Sequence, residues 1–233
     1  MGRKFRQPVE MEIVDVQFPN KAYGVVDGKV VKVKGGIKGQ KVRIRINKRR
    51  KDYLVGSIIE IIERSPLEIE GKCPHFKECG GCSYQSLSYE TELKLKERQV
   101  KEIFAREGID DFEFLGIEKS PREYEYRNKM EYTFGNAVKD GPLLLGLHKR
   151  GKFYEIVDMD SCNIVDDDFT AIRKEVMSYF IEKDIPYYNK NNHQGILRYF
   201  VIRKALSTGE ILLNIVTTSQ GIVDLDELVN TLR

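Results

Sequence analysis

Three cysteines crowd into one short run, Cys73-Pro-His-Phe-Lys-Glu-Cys79-Gly-Gly-Cys82, spaced C-x5-C-x2-C, and the fourth, Cys162, lies about eighty residues downstream. Thiolates are soft ligands, and Gly80 and Gly81 between Cys79 and Cys82 let the backbone turn tightly enough for two sulfurs to face one centre. Four thiolates closed by folding suit a cubane [4Fe–4S] cluster or a tetrahedral structural zinc, for which His75 offers a spare ligand. Structural zinc sites usually pair two short knuckles; here one spacing is five and one ligand is solitary, so the pattern leans toward iron without excluding zinc. Disulfides are a third use of the same residues, but they need an oxidising compartment, and Met1–Glu10 carries no apolar signal segment. The expected location is cytoplasmic, with the thiols reduced.

A second set of residues has chemistry by charge. From Lys21 to Lys51 there are twelve Lys and Arg against one acid, Asp27, so this segment is +11 while the chain as a whole is +3. In Val42-Arg43-Ile44-Arg45-Ile46 the period is two, which turns the apolar residues toward a core and stands Arg43 and Arg45 outward. Lys48, Arg49, Arg50 and Lys51 follow, then Tyr53, an aromatic on which a base could stack. Such runs are often only solvated strand faces, but an imbalance this large on one small piece favours a phosphate backbone as partner.

Those residues need a scaffold. Short β-rich runs at Met11–Val16, Lys29–Val33, Lys41–Ile46 and Leu54–Ile62, separated by turn signals at Phe18–Asn20, Asp27-Gly28 and Gly35-Gly36, predict a five-stranded OB-type barrel in residues 1–66. Residues 67–233 read as a central α+β antiparallel domain. Ser88 caps a helix running to Glu107, with Tyr89, Leu93, Val100, Ile103 and Phe104 on one stripe and Lys94, Glu97, Arg98, Lys101 and Glu102 on a wet face. A second helix follows Asp166-Asp167-Asp168, through Phe169, Ile172, Val176 and Phe180 to about Lys183. Strands are expected at Lys129–Phe134, Leu143–His148, Lys152–Val157, Ile196–Lys204 and Glu210–Val216, with hairpin signals at Lys139-Asp140-Gly141 and Ser207-Thr208-Gly209, and a last helix at Leu225–Arg233. At 233 residues and 41% hydrophobic, the chain can bury a core in each part, and no stretch is apolar enough to span a membrane.

Several of these segments carry a resemblance. Cys-Pro-His-Phe, Gly80-Gly81-Cys82-Ser83-Tyr84-Gln85, Tyr126-Arg127-Asn128-Lys129, Gly146-Leu147-His148-Lys149-Arg150-Gly151 and Ile156-Val157-Asp158-Met159-Asp160-Ser161-Cys162 together resemble the family of SAM-dependent RNA uracil-5-methyltransferases. Within it the chain is most similar to the 23S rRNA branch that carries a [4Fe–4S] cluster. The resemblance covers nearly the whole chain in order. It implies that residues 1–66 are a TRAM domain, an RNA-binding OB barrel, and that Cys73, Cys79, Cys82 and Cys162 hold the cluster, in a structural or RNA-contacting role. It also implies that Arg127, Asn128 and Lys129 face RNA; the bland alternative for Arg127 is an ion pair with Glu123 or Glu125.

Members of that family add a cysteine thiolate to uracil C6, and a carboxylate base later removes the C5 proton; these residues sit in a C-terminal Rossmann-like domain that binds S-adenosyl-L-methionine. This sequence holds no Gly-x-Gly-x-x-Gly, no Asp-Pro-Pro motif, and no cysteine beyond the four. The expectation is therefore that the Rossmann-like domain is absent, that no catalytic or SAM-binding residue lies in this chain, and that Tyr89–Arg106 and the C-terminal end pack on the missing part. Such a chain would bind RNA, 23S rRNA by the resemblance, without methylating it, and has no evident membrane or obligate protein partner. The competing readings are a stand-alone RNA-binding module with a structural four-cysteine metal site, a tRNA uracil-5-methyltransferase, and an electron carrier, against which the +11 segment argues.

Overall fold

The structure, a computed structural model, describes residues 7–233. The described chain divides into two compact units, one of residues 7–71 and 83–119 and one of residues 72–82 and 120–233. This differs from the expected break after residue 66: the helix at Tyr89–Arg106 belongs with the barrel, and only the cysteine run crosses to the other unit.

Unit 1 is built on β1 (Val9–Glu12), β2 (Asp15–Gln17), β3 (Lys21–Val26), β4 (Lys29–Lys34), β5 (Lys41–Arg49) and β6 (Leu54–Glu63), in the order β1-β5-β6-β4-β3-β2. β1 and β2 are two halves of one bent strand. Ile13 N–H still bonds toward the β5 side at Gln40 O (2.8 Å), while Val14 N–H turns to Tyr23 O on β3 (2.9 Å). Because the two ends of the sheet are one continuous strand, the sheet closes into an OB-like barrel, and closure removes its edges. The one parallel pair is β4 with β6. β3 was missed as a strand in the sequence, since Ala22 and Gly24 are weak β formers. Gly24 is there for close approach: a Cβ would stand 2.3 Å from Glu12 O and against Met11. The Asp27-Gly28 signal is a two-residue turn with both residues at positive φ, which pairs Val26 with Lys29.

The barrel core is Met11, Ile13, Val16, Ala22, Val31, Val33, Val42, Ile44, Ile46 and Leu54, as the period-two pattern of β5 requires. Helix α1 (Tyr89–Arg106) starts where Ser88 Oγ accepts from Thr91 N–H (3.2 Å). It meets the barrel through Leu95, which packs on the barrel core, and through polar residues beside it, so Arg98 is not on a merely wet face. Arg98 donates to Asp15 Oδ1 (2.7 Å) and Val16 O (3.0 Å), and the buried Gln99 donates to Val16 O (3.2 Å). Val100, Ile103 and Phe104 stay more than a third exposed.

Unit 2 centres on β7 (Lys129–Gly135), β8 (Leu144–Gly146), β9 (Leu197–Lys204) and β10 (Ile211–Thr217), in the antiparallel order β10-β9-β7-β8. Both hairpin signals connect neighbours, β7 to β8 and β9 to β10. Lys152–Val157 is not a strand: it makes only isolated bridges, Glu155 with Asn136 and Ile156 with His148. Helix α2 (Asp167–Glu182) is capped by Asp166, which accepts from Asp168 N–H (3.1 Å), and buries Phe169, Val176 and Phe180 against Tyr132, Phe134 and Phe200. Phe134 and Phe180 meet edge to face at 5.4 Å. A short α3 (Asp226–Thr231) adds Leu228 to this core. No helix among the described residues is long and apolar enough to cross a membrane.

Candidate functional site

The cysteine run is a chain of tight turns: Phe76 N–H bonds to Cys73 O (3.2 Å), and Glu78 and Cys79 N–H groups both bond to His75 O (3.0 and 2.7 Å). Gly81 N–H then points at Cys79 Sγ (3.4 Å), an approach that glycine leaves open. Three anchors fix this knuckle to the rest of unit 2. Gly80 N–H bonds to His148 O (3.0 Å), Arg150 donates to Phe76 O (3.0 Å) and Cys82 O (2.8 Å), and His75 Nε2 accepts from Asp160 N–H (3.2 Å). The last bond joins the knuckle to the segment that carries Cys162. It also engages one of the two ring nitrogens with which His75 could ligate zinc, so His75 acts here as a clamp between the two segments.

Cys79 and Cys162 share a small apolar cluster with Val157, Met159 and Leu147, and Cys82 and Cys162 pack against the main core. All four cysteines are free thiols. Burial pushes the Cys162 thiol up to about 11, reinforced by the charges of Cys82, Cys73 and Cys79; burial also raises Cys79. The fold thus brings Cys162 within electrostatic reach of all three distant thiols, and a bound cation is the natural counterweight to their mutual repulsion. As placed, no group of three or more His, Cys, Asp or Glu side chains among the described residues is gathered tightly enough to hold a metal ion. Four thiols have the chemistry for a four-thiolate group, and the fold brings Cys162 toward the other three.

Arg173 lies under the same region. Only 2% exposed, it donates to Leu145 O (2.8 Å) and to Met159 O, three residues before Cys162, and feels the charges of Asp158 and Asp160. No sequence signal marked it, because on the helix it reads as one more solvated arginine.

On the barrel the basic residues differ in availability. Arg43 is held by Glu60 and by Glu10 (3.3 Å), and Lys41 by Glu63 (3.2 Å), so these charges are locally neutralised. Arg45 is exposed beside them, and Lys48, Arg49, Arg50 and Lys51 are exposed at the end of β5 and in the turn that Arg50 N–H closes on Tyr53 O (2.9 Å). Tyr53 is not a bare platform: the Lys32 ammonium sits 3.9 Å from its ring centre and 5.4 Å from that of Tyr23. Lys32 and Tyr23 were missed, although counting outward from the Asp27-Gly28 turn places them directly opposite each other.

In unit 2, Arg127 takes neither Glu123 nor Glu125 as partner. Its Nε donates to Lys129 O (3.0 Å), and its N–H bonds to Ile164 O (2.9 Å). Lys129 pairs with Glu131 (3.0 Å), and Asn128 O accepts from Lys204 N–H (2.9 Å). The three residues enter β7 beside β9.

No protein-family model matches the chain. Curated proteins do. A Caldanaerobacter subterraneus protein named as an uncharacterized RNA methyltransferase is 52% identical over 225 residues, which is 97% of this chain and 50% of that protein. One from Clostridium tetani with the same name is 46% identical over 233 residues, 100% of this chain and 51% of its own length. The chain is homologous to half of each. It spans about half the length of the curated relatives it matches. Among solved structures, Pyrococcus abyssi tRNA (uracil-54, C5)-methyltransferase, in complex with S-adenosyl-L-homocysteine, superposes with a TM-score of 0.65 at 24% identity, over 94% of this chain and 48% of that one. At that identity the likeness is one of fold.

Proposed function

We propose that this chain is the RNA-holding and cluster-bearing part of an RNA (uracil-5-)-methyltransferase. The observation that carries the proposal is its 52% identity, over nearly its full length, to half of a protein named an RNA methyltransferase. The closed barrel and its exposed Arg45 and Lys48–Lys51 edge supply what an RNA backbone needs, a run of cations beside an aromatic pair at Tyr23 and Tyr53. Arg127, Asn128 and Lys129 are a second RNA-facing segment in this reading. S-adenosyl-L-methionine supplies the methyl group in the whole protein; the residues described above bind and orient RNA.

In the same proposal Cys73, Cys79, Cys82 and Cys162 hold a [4Fe–4S] cluster, one thiolate per iron, with His75, Arg150 and Gly80 fixing the ligand loop. The substrate is 23S rRNA by the sequence resemblance. A tRNA is the second reading, favoured by the fold likeness to a tRNA (uracil-54, C5)-methyltransferase. Anaerobic purification followed by iron, sulfide and zinc analysis tests the centre: about four irons with matching sulfide supports the cluster, and one zinc without iron overturns it. Competition between ribosomal RNA fragments and tRNA for the chain, titrated at several salt concentrations, separates the two substrates.

A further inference from the structure

Unit 2 exposes an aromatic pair that its own core does not use. Phe153 is 69% exposed and Tyr154 55%, and they meet edge to face at 5.2 Å. Their loop is held in shape: the bridge between His148 and Ile156 closes it, Lys149 N–H bonds to Glu155 O (2.8 Å), Lys152 N–H to Lys149 O (3.0 Å), and Gly151 takes the left-handed conformation (φ 73°) the turn requires. His148 stacks beside Phe153 with rings 21° from parallel, and Lys190, from another segment, places its ammonium 4.9 Å from the Phe153 ring centre. Lys152 is paired with Glu155 (2.8 Å) and Lys149 with Glu78 (3.6 Å), whereas Lys190 has no carboxylate partner among the described residues.

Exposed rings on an ordered loop, with a cation over one face and further lysines around them, match what unstacked nucleobases and their phosphates require. The bases lie on the ring faces and the phosphates meet the ammonium groups, with no need for base-edge readout. We propose that Phe153 and Tyr154, with Lys190, form a stacking site for unpaired nucleobases of single-stranded RNA, separate from the basic edge of the barrel. The site rests on the reading of the chain as RNA-binding, and it adds that unit 2 grips unpaired bases while the barrel grips backbone. Net charge on the loop is modest, so its contribution is to affinity for unpaired bases more than to salt dependence.

The test uses the intact chain and a labelled single-stranded RNA, alongside the same RNA annealed to its complement. Replacing both Phe153→Ala and Tyr154→Ala is expected to weaken single-strand binding between about fivefold and a hundredfold while leaving duplex binding and the salt slope unchanged. Phe153→Tyr keeps a ring and should retain binding; Lys190→Ala should weaken it less than the double replacement. Both rings are exposed, so an unchanged melting curve is expected to show that the variants fold. If the double variant holds single strands as tightly as the parent, or loses duplex and single strand equally, the stacking site is wrong while RNA binding stands. If the parent chain binds neither RNA, the RNA-binding reading falls and takes this site with it.

Discussion

The two units carry their chemistry in opposite ways. In the barrel it lies outside, spread along one strand and the turn that follows it, and each basic side chain stands on its own backbone position. In unit 2 the four thiols come from segments about eighty residues apart, and their approach depends on Gly80, His75 and Arg150 holding one loop against another. A surface strip of charges is additive, because each cation meets its own phosphate; a multidentate centre is not, because losing one ligand leaves the rest with the same repulsion and less binding energy. The difference teaches that single substitutions should erode the barrel's function gradually and the cysteine centre's abruptly.

The largest effect expected is therefore at the thiols. If the four cysteines hold the proposed cluster, Cys162→Ser should take iron content from about four per chain to near zero and shift the unfolding of unit 2, while RNA affinity measured through the barrel changes little. Equal loss of RNA binding would break the comparison, since it would make the centre part of the basic surface. Iron and sulfide analysis together with RNA titration of the same sample distinguishes these outcomes.

Buried and exposed arginines sharpen the contrast in stability. Arg173→Met leaves Leu145 O and Met159 O buried without their donor, and should cost roughly 2–5 kcal/mol. Arg45→Met on the barrel, with an exposed side chain, should stay within about 0.5 kcal/mol. Urea unfolding of both variants checks the pair. Similar midpoints would show that Arg173 does not hold the Cys162 segment in place.

The same contrast explains what could be read from the residues alone. The β5 alternation, the Asp27-Gly28 turn, the Ser88 and Asp166 caps and both hairpins of unit 2 are local signals, and each appears where its chemistry puts it. β3 was not legible because Gly24 is chosen for the close crossing of β1, a tertiary demand that lowers strand propensity. Lys152–Val157 looked like a strand because Phe153, Tyr154, Ile156 and Val157 are β formers, yet two of them are turned out on a loop. Of the barrel's polar contact with α1, the clamping role of His75 and the buried Arg173, the first two join partners more than eighty residues apart, and the third links a helix residue to a loop carbonyl, a pairing that no periodicity marks.

On the barrel itself the graded behaviour can be counted. Replacing Lys48, Arg49, Arg50 and Lys51 with Ala should lower the salt slope of RNA binding by about three, at roughly 0.7 per phosphate contact on a single strand. Arg43→Ala should change that slope much less than Arg45→Ala, because Glu60 and Glu10 already neutralise Arg43. Equal effects from Arg43 and Arg45 would mean that RNA displaces those carboxylates and that the strip is larger than the exposed residues suggest.

The smallest effect tests the barrel's polar contact with its own helix. Burial raises the Asp15 carboxyl, but hydrogen bonds from Arg98 and Gln17, the charge of Arg98 and the Val16 N–H outweigh it, so its pKa lies below the usual carboxylate value. A carboxyl lowered on folding adds stability that is present above its unfolded pKa, near 4, and is lost as the pH falls through the folded value. Unfolding of unit 1 should therefore become easier below about pH 4 by an amount under roughly 1 kcal/mol, the range of a half-exposed pair. Asp15→Asn should flatten that pH dependence and weaken the barrel slightly at neutral pH. An acid transition that survives Asp15→Asn comes from other acid-sensitive groups, either further carboxylates or, where the proposed four-thiolate centre is loaded, its ligands taking up protons as the metal is released.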